Sequence, residues 1–575
     1  MASLCIFLAT LGAAAALKPN LMYILVDDWG WANLHSHNPT AEVVTPNLDA
    51  LMQGGIELEQ HYAFKYCSPS RCALQSGRNP IHVNVLNDDI RNHNELVDPV
   101  GGFQGIPVNM TTIAGKLSGA GYSCHAAGKW NAGMATRHHT PAGRGYDTAL
   151  TYFDMDTGEK GDAACQCAPL PAPPPPSPSE KWGAACAPCL RPPPPHPPHP
   201  HSPPLPPDYW TEAKPGCPGP TKGEKLLTVD MWSNNGPGLG YNGSQACSQA
   251  SQAGCTFQDD VFKARILSII NNHTGDAPLF IFWGTHVPHD PYQVPQAYLD
   301  KPVFASITQP ARQYYSAMVN LLDDMVGEVV AALKAKGLWE NTLIVISSDN
   351  GGPEGDGYGA NNYPLRGGKS SNWQGGVRVN ALVAGGLVPP ARQGTSEAGL
   401  IELSDWYTTF CALAGVDPAD PIAEQAGLFP PDGINMWPLL SGANATPPRD
   451  YVMLGSTDAD PQSGNTTVQG VIRRDGWKLL QGKVANNWWT GPVYPNSTTY
   501  PTGSHDCGAG CLFNIFTDPT EHSDVAAENP AIVKELARVM SEYKVYSPDR
   551  GTNDGEACKK AFARHSGFYG PFVDI

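Results

Sequence analysis

Positive charge is scarce in this chain. Its 575 residues hold 37 lysines and arginines against 54 aspartates and glutamates, for a formal net charge of −17. A body this acidic argues against nucleic acid or an anionic membrane as a general partner. An anionic substrate would need a local positive site on an acidic surface. Beyond the first sixteen residues there is no apolar run long enough to span a bilayer, so the sequence offers no transmembrane anchor. Nor does any segment repeat at a fixed period, which sets aside repeat architectures. Even the apolar start, Met1 to Ala16, lacks the lysine or arginine of a typical leader. It is nonetheless short, alanine-rich and followed by Lys18-Pro19-Asn20, and reads as a signal peptide in preference to an N-terminal strand.

Other features agree with a secretory route, ending outside the cell or in a lysosome-like compartment. Six Asn-x-Ser/Thr sequons stand at Asn109, Asn242, Asn272, Asn444, Asn465 and Asn496, each short enough to arise by chance. Fifteen cysteines suit an oxidising compartment better than the cytosol. Removal of Cys5 with the leader leaves fourteen, and loss of one more to modification would leave an odd number, so at least one free thiol is expected. Cys124 and Cys411, in apolar surroundings, are the candidates. The 56 prolines have a local cause: residues 165–207 form a polyproline-like stretch that reads as a surface insertion. Cys165, Cys167, Cys186 and Cys189 within it have spacing compatible with zinc, though the proline-rich secretory context favours paired disulfides.

The remaining chain reads as α/β. Leu21–Val26, Tyr122–Ala127, Pro278–Trp283 and Leu343–Ile346 are buried-strand runs. Helical patterns cover Thr45–Met52, Ile113–Leu117, Asp260–Ile270 and a long apolar stripe from Tyr315 to Leu333, read as core and stopped by Gly337. Each strand run gives way to polar residues: Asp27-Asp28, Lys129, His286 with His289, and Asp349-Asn350. In a largely parallel sheet these ends share one edge, so the groups can converge into one cleft. Adjacent carboxylates suit a hard cation such as calcium or magnesium, the plainer alternative being a cap or solvated turn. Lys129 alone could be a solvated charge, and the two histidines metal ligands or a polar loop. After about Gly442 the pattern shifts to short strands, with a hairpin over Val471–Leu480 turning at Asp475-Gly476 and a closing helix over Ile532–Tyr543. The expected division is therefore a leader at 1–16, a large domain at 17–442 and a smaller α+β subdomain at 443–575.

The most unusual stretch is Lys65-Tyr66-Cys67-Ser68-Pro69-Ser70-Arg71. With Ser68 as cap and Pro69 in the first turn, Cys67 is predicted at a helix N-terminus, where backbone amides and the helix dipole favour an anion. Arg71 lies one turn on and can point back to the same spot. A nucleophile, an anion cradle and a guanidinium thus fall within five residues. A disulfide cysteine in a loop is the alternative.

Cys67-x-Pro-x-Arg71 is the pattern by which the type I, formylglycine-dependent sulfatases resemble one another. The chain resembles that family over nearly its whole mature length, most closely the N-acetylgalactosamine-4-sulfatase, or arylsulfatase B-like, branch. Asp27-Asp28-x-Gly-Trp31, Gly128-Lys-Trp130, His289-Asp-Pro-Tyr-Gln-Val-Pro295, Ser348-Asp-Asn-Gly-Gly352 and Asn361-Asn-Tyr-Pro-Leu-Arg-Gly-Gly-Lys369 carry the match, in order. The resemblance implies a large mixed, mostly parallel sheet flanked by helices, the alkaline-phosphatase-like superfold. It implies hydrolysis of a sulfate ester, of a small molecule or glycan. It also implies that a formylglycine-generating enzyme oxidises Cys67 after translation. Asp27, Asp28, Asp349 and Asn350, with the modified Cys67, would then bind calcium. Lys129, His289 and Lys369 would hold the sulfate, His289 giving a proton to the leaving alcohol, and Arg71 would support the formylglycine. His289 and not His286 fits the register of the Pro-x-x-Val-Pro frame.

Two positions depart from the family pattern. Asn131 stands where the family has the histidine of Gly-Lys-Trp-His, which helps deprotonate the nucleophile in the second half of the reaction. An amide can hydrogen-bond but cannot take up a proton. Gln75-Ser76-Gly77-Arg78 replaces the usual Leu-Thr-Gly-Arg, a milder change. Asn131 leaves open a catalytically impaired protein that binds sulfated glycans, and the superfold leaves open a phosphoester or phosphonate hydrolase.

Overall fold

A computed structural model of the chain describes residues 18–83, 105–153, 256–355, 357–456, 467–493 and 503–546, with short stretches at 92–93, 214–218, 225–228, 231–234, 236–237 and 552–553 and parts of 560–573. The leader, the proline-rich segment with its four cysteines, and the sequons at Asn242, Asn465 and Asn496 lie outside the described residues. Of the other three sequons, Asn109 is half-buried while Asn272 and Asn444 are exposed.

The large sheet has ten strands. In chain order they are β1 (Asn20–Val26), β2 (Ile56–Leu58), β3 (Ser123–Lys129), β4 (Thr148–Tyr152), β5 (Trp232–Ser233), β6 (Gly236–Pro237), β7 (Leu279–Gly284), β8 (Thr342–Ser348), β9 (Ala381–Ala384) and β10 (Thr395–Glu397). Their spatial order is β6-β5-β4-β3-β7-β1-β8-β9-β2-β10. The five central strands from β4 to β8 pair in parallel, while β9 runs antiparallel to both β8 and β2.

The continuous apolar runs are explained by burial on both faces. Along β1, Leu21, Tyr23 and Leu25 enter one core cluster, and Met22, Ile24 and Val26 enter the other. The neighbours alternate in the same way: Phe280 and Phe282 on the first face, Ile281 and Trp283 on the second. On the first face lie the helices Cys67–Ser76, Ile113–Gly119 and Asp405–Ala414, which contribute Leu74, Leu117 and Phe410. On the second lie Pro46–Gln53, Gln258–Asn272 and the 26-residue helix Pro310–Ala335, with Leu48, Phe262 and Met318.

The hairpin expected near the C-terminus is present. β11 (Tyr451–Ser456), β12 (Thr467–Arg473), β13 (Trp477–Leu480) and β14 (Cys511–Asn514) form a four-stranded antiparallel sheet in that order. Gly476 turns β12 into β13 at φ 88°, a conformation that glycine adopts freely. One face of this sheet, with Val452, Ile472, Leu480 and Phe513, packs on Tyr62, Trp373 and Val377 of the main body. The other receives Leu536 and Met540 from the helix Pro530–Glu542.

Among the described residues Cys67, Cys72, Cys124 and Cys411 are buried and outside any disulfide, and Cys507 is bonded to Cys511. Both expected free thiols are therefore free.

Candidate active site

Four neighbouring strands, β3-β7-β1-β8, deliver the polar groups to one edge. Asp27 and Asp28 follow the last residue of β1, Lys129 is the last residue of β3, the loop carrying His286 and His289 follows β7, and Asp349-Asn350 follow β8. The approach of β3 to β7 requires glycine: a Cβ on Gly128, at φ 87°, would stand 1.8 Å from the Gly284 carbonyl oxygen. Asp28 itself has φ 59°, where a non-glycine residue persists only if its surroundings hold it. They do so here. Its amide donates to Asp349 Oδ1 at 3.2 Å, and its carbonyl accepts from the Tyr315 hydroxyl at 2.6 Å. Tyr315 Oη in turn accepts from the Gly30 amide at 3.1 Å. The helix stripe, read from sequence as core alone, thus also braces the Asp28 turn.

The helix at the cysteine begins at Cys67, with Tyr66 as its cap and no side-chain capping bond. Cys67 is at the N-terminus as expected, but Ser68 is inside the first turn and does not cap. Its hydroxyl instead donates to Asn131 Oδ1 at 2.5 Å. The Cys67 thiol, 2% exposed, lies 3.3 Å from Asp27 Oδ1 and 3.4 Å from Asn350 Oδ1. Arg71 points back under it. Its Nε and Nη2 donate to Asp349 Oδ2 at 3.0 and 2.7 Å, and Nη1 donates to the Lys129 carbonyl at 3.1 Å.

Three further cationic or protonatable groups close the site. Lys129 Nζ donates to Asp27 Oδ2 at 2.8 Å, and Lys369 Nζ to Asp28 Oδ2 at 2.8 Å. His289 Nε2 lies 3.3 Å from Lys369 Nζ and 3.5 Å from Asp28 Oδ2. Its Nδ1 faces the Asp290 carbonyl at 2.5 Å, so Nδ1 carries a proton and Nε2 is the nitrogen presented to the cleft. Donor atoms of Asp27, Asp28, Cys67 and His289 all lie within 4.8 Å of one another. His286 is outside that group; its ring packs on Tyr152 at 5.2 Å and its amide donates to Asp259. The structure places His289, and not His286, beside Asp28 and Lys369.

Burial would raise the Asp27 carboxyl, but Lys129, His289, Arg71 and Lys369 outweigh it and hold the group well below the usual carboxylate range. Asp349 goes the other way: burial and the charge of Asp27 push it up to about 6 despite Arg71. Burial, then Asp27 and Asp349, drive the Cys67 thiol well above its ordinary value. An unmodified Cys67 is therefore a protonated thiol and a poor nucleophile. Asp27, Asp28, Asp349 and Asn350 bring hard oxygens together, the donor chemistry calcium and magnesium take.

Asn131, at φ 47°, sits beside this cluster with its amide oriented from both ends. Oδ1 accepts from Ser68, and Nδ2 donates to the Phe153 carbonyl at 3.3 Å. Sequence reasoning missed Tyr315 and the segment at 486–492, which bonds to the loop carrying Lys369. A tyrosine inside a helical stripe looks like any core aromatic. Only the length of its side chain and its polar end hint at more.

The fold is that of the alkaline-phosphatase-like superfold. The sulfatase family model matches residues 19–416, and the chain belongs to the sulfatase family. It is a sulfuric ester hydrolase. Arylsulfatase J of Mus musculus is 28% identical over 92% of this chain and 77% of its own length. N-acetylgalactosamine-6-sulfatase of Homo sapiens is 27% identical over 92% of this chain and 86% of its own. These matches establish the family and do not single out the 4-sulfatase branch. Among solved structures, one determined with a neocarrahexaose has a TM-score of 0.63 at 23% identity, covering 93% of this chain and 95% of that one. A phosphonate monoester hydrolase of Agrobacterium radiobacter shares the fold more loosely, with a TM-score of 0.51 at 18% identity over 91% of this chain and 95% of that one.

Proposed function

We propose that this sulfatase is formylglycine- and calcium-dependent, with Cys67 as the modified residue and a sulfated sugar or polysaccharide as substrate. The carrying observation is the position of Cys67: first residue of a buried helix, in contact with Asp27 and Asn350. Formylglycine supplies a hydrated aldehyde, a nucleophile that a buried neutral thiol is not. Asp27, Asp28, Asp349 and Asn350 would hold the calcium, which would supply positive charge against the sulfuryl oxygens. Lys129 and Lys369, now ion-paired to Asp27 and Asp28, turn toward the same oxygens and neutralise charge that grows as the ester bond breaks. His289, when protonated on both ring nitrogens, presents Nε2–H to the leaving oxygen and delivers that proton there, keeping the proton on Nδ1. Arg71 anchors Asp349 and the end of β3, which keeps the modified residue and the metal ligands in register.

The sugar assignment draws on the relatives, whose names include N-acetylgalactosamine-6-sulfatase, and on the carbohydrate in the related structure. Residues 17–442 form the catalytic domain and 443–575 the smaller subdomain, reached through the secretory pathway after loss of residues 1–16. The test is the mass of the tryptic peptide Tyr66–Arg71 from secreted protein. Formylglycine at Cys67 is the expected result. An intact or disulfide-bonded cysteine, from a host that converts other sulfatases, refutes the mechanism. Asn131 favours one further reading, slow sulfate release after a normal first half-reaction.

A further inference from the structure

Among the described lysines and arginines of the site, Lys369 alone comes from a loop and not from a helix or a sheet edge, so something must hold that loop. We infer that the segment Asn486–Pro492, which follows β13 in the smaller subdomain, is a positioning element for Lys369, coupled to it through Asn486, Trp488 and the buried Glu354. The inference rests on the sulfate-holding role proposed above for Lys369.

The contacts run along the whole loop. Asn486 Nδ2 donates to the Lys369 carbonyl at 2.7 Å, and the Gly367 amide donates to the Trp488 carbonyl at 2.9 Å. Asn361, at the start of the loop, donates through Nδ2 to the Gly491 carbonyl at 3.0 Å. Glu354 is the joint. Its Oε2 accepts from Trp488 Nε1 at 2.9 Å, and its Oε1 accepts from the Asn362 amide at 2.7 Å and the Thr490 hydroxyl at 3.1 Å. Asn362 then ties the loop to the strand end that carries Asp349-Asn350. Its Oδ1 accepts from the Gly352 amide at 3.0 Å, and its Nδ2 donates to the Gly352 carbonyl at 2.8 Å. The Lys369 amide donates to that same Gly352 carbonyl at 3.1 Å. The guanidinium of Arg366 is stacked between Trp373, at 3.5 Å from the ring centre, and Trp489, at 4.6 Å. A glycine-rich loop with no regular structure is thereby clamped from both sides. The clamp from the subdomain side delivers its bonds to residues 361, 367 and 369 themselves.

Two substitutions release the clamp. Asn486 has φ 54°, so Asn486→Gly removes the amide donor and keeps an unstrained backbone. Trp488→Phe keeps an aromatic ring but drops the N–H that Glu354 accepts, together with part of the buried indole. The secreted full-length enzyme and both variants are compared with Lys369→Ala, using an aryl sulfate for kcat and KM, inorganic sulfate as competing anion, and thermal unfolding. Each clamp variant is expected to raise KM and the inhibition constant for sulfate by about three- to tenfold, the scale of one lost hydrogen bond, with little change in Tm for Asn486→Gly. Lys369→Ala is expected to raise both further, and the clamp variants to add little on top of it. Unchanged sulfate inhibition in both clamp variants, while Lys369→Ala weakens it, overturns the positioning role alone. Unchanged sulfate inhibition in Lys369→Ala overturns the role of the lysine and, with it, this inference. A lowered Tm with unaltered KM marks the segment as merely structural and also overturns it.

Discussion

Replacing Asn131 with histidine should make this enzyme faster. Asn131 engages both ends of its amide: Oδ1 accepts from the Ser68 hydroxyl at 2.5 Å and Nδ2 donates to the Phe153 carbonyl at 3.3 Å. A neutral imidazole also has one donor and one acceptor, so it can take over both bonds. The backbone at φ 47° suits histidine better than most side chains. Two retained hydrogen bonds, each worth about 1 kcal/mol net, leave little room for a change in stability. What changes is chemistry. The acceptor would be a nitrogen able to bind a proton, against Ser68 and one residue from Cys67. General-base assistance is typically worth about 10²–10⁴ in rate, and the lower end is the sensible expectation for an engineered base. The assay tracks alcohol and sulfate separately after rapid mixing. The natural enzyme should show a burst of alcohol and then slow sulfate release. Asn131→His should raise steady sulfate release about a hundredfold and shrink the burst. Sulfate release that stays the same or falls, in a variant that unfolds at the normal temperature, refutes the reasoning.

Two other predictions concern the metal and acid stability. Chelation should abolish sulfate release and calcium should restore it, while Asp28→Asn, which removes one negative charge from the buried oxygen set, should need at least about tenfold more calcium for half-restoration, an energy of about 1.4 kcal/mol; restoration at the natural calcium level would exclude Asp28 as a ligand. His61 is fully buried, and burial lowers its pKa from 6.5 to about 3. The unfolded chain therefore binds a proton below pH 6.5 that the folded chain refuses until about pH 3, so stability is full above 6.5 and is lost as pH falls through that window. His61→Gln, which can still accept from Trp406 Nε1, should recover about 2 kcal/mol of the stability lost between pH 7 and pH 5, read as a flatter urea midpoint against pH; an equally steep profile would show that His61 does not carry it.

The strand ends were the legible part of this protein. A parallel strand buried on both faces must be apolar along its length, and its polar successor must emerge at the C-terminal edge. Val26 followed by Asp27, and Ile346 followed soon by Asp349, are therefore readable as strand and site from the order of the residues alone. The Ser68 misreading has an equally local cause. Serine before proline is a common helix start, but Cys67 already has helical geometry and the serine hydroxyl is drawn to Asn131, sixty-three residues away.

Braces such as Tyr315 and Asn486 were not legible, because nothing in their own neighbourhood distinguishes them. Tyr315 lies 287 residues from the Asp28 carbonyl it holds, and Asn486 lies 117 from Lys369. Periodicity reports which face of a helix is buried, not which buried hydroxyl meets a strained peptide. The same holds for the smaller subdomain. Its hairpin is evident from Asp475-Gly476, yet its reach into the site depends on a short stretch between β13 and β14 with no pattern of its own. Asp27, Asp28, Lys129, Asp349 and Asn350 sit at strand ends and follow a rule of topology. Groups that hold them in place obey only proximity, and proximity between distant residues is what folding adds to the sequence.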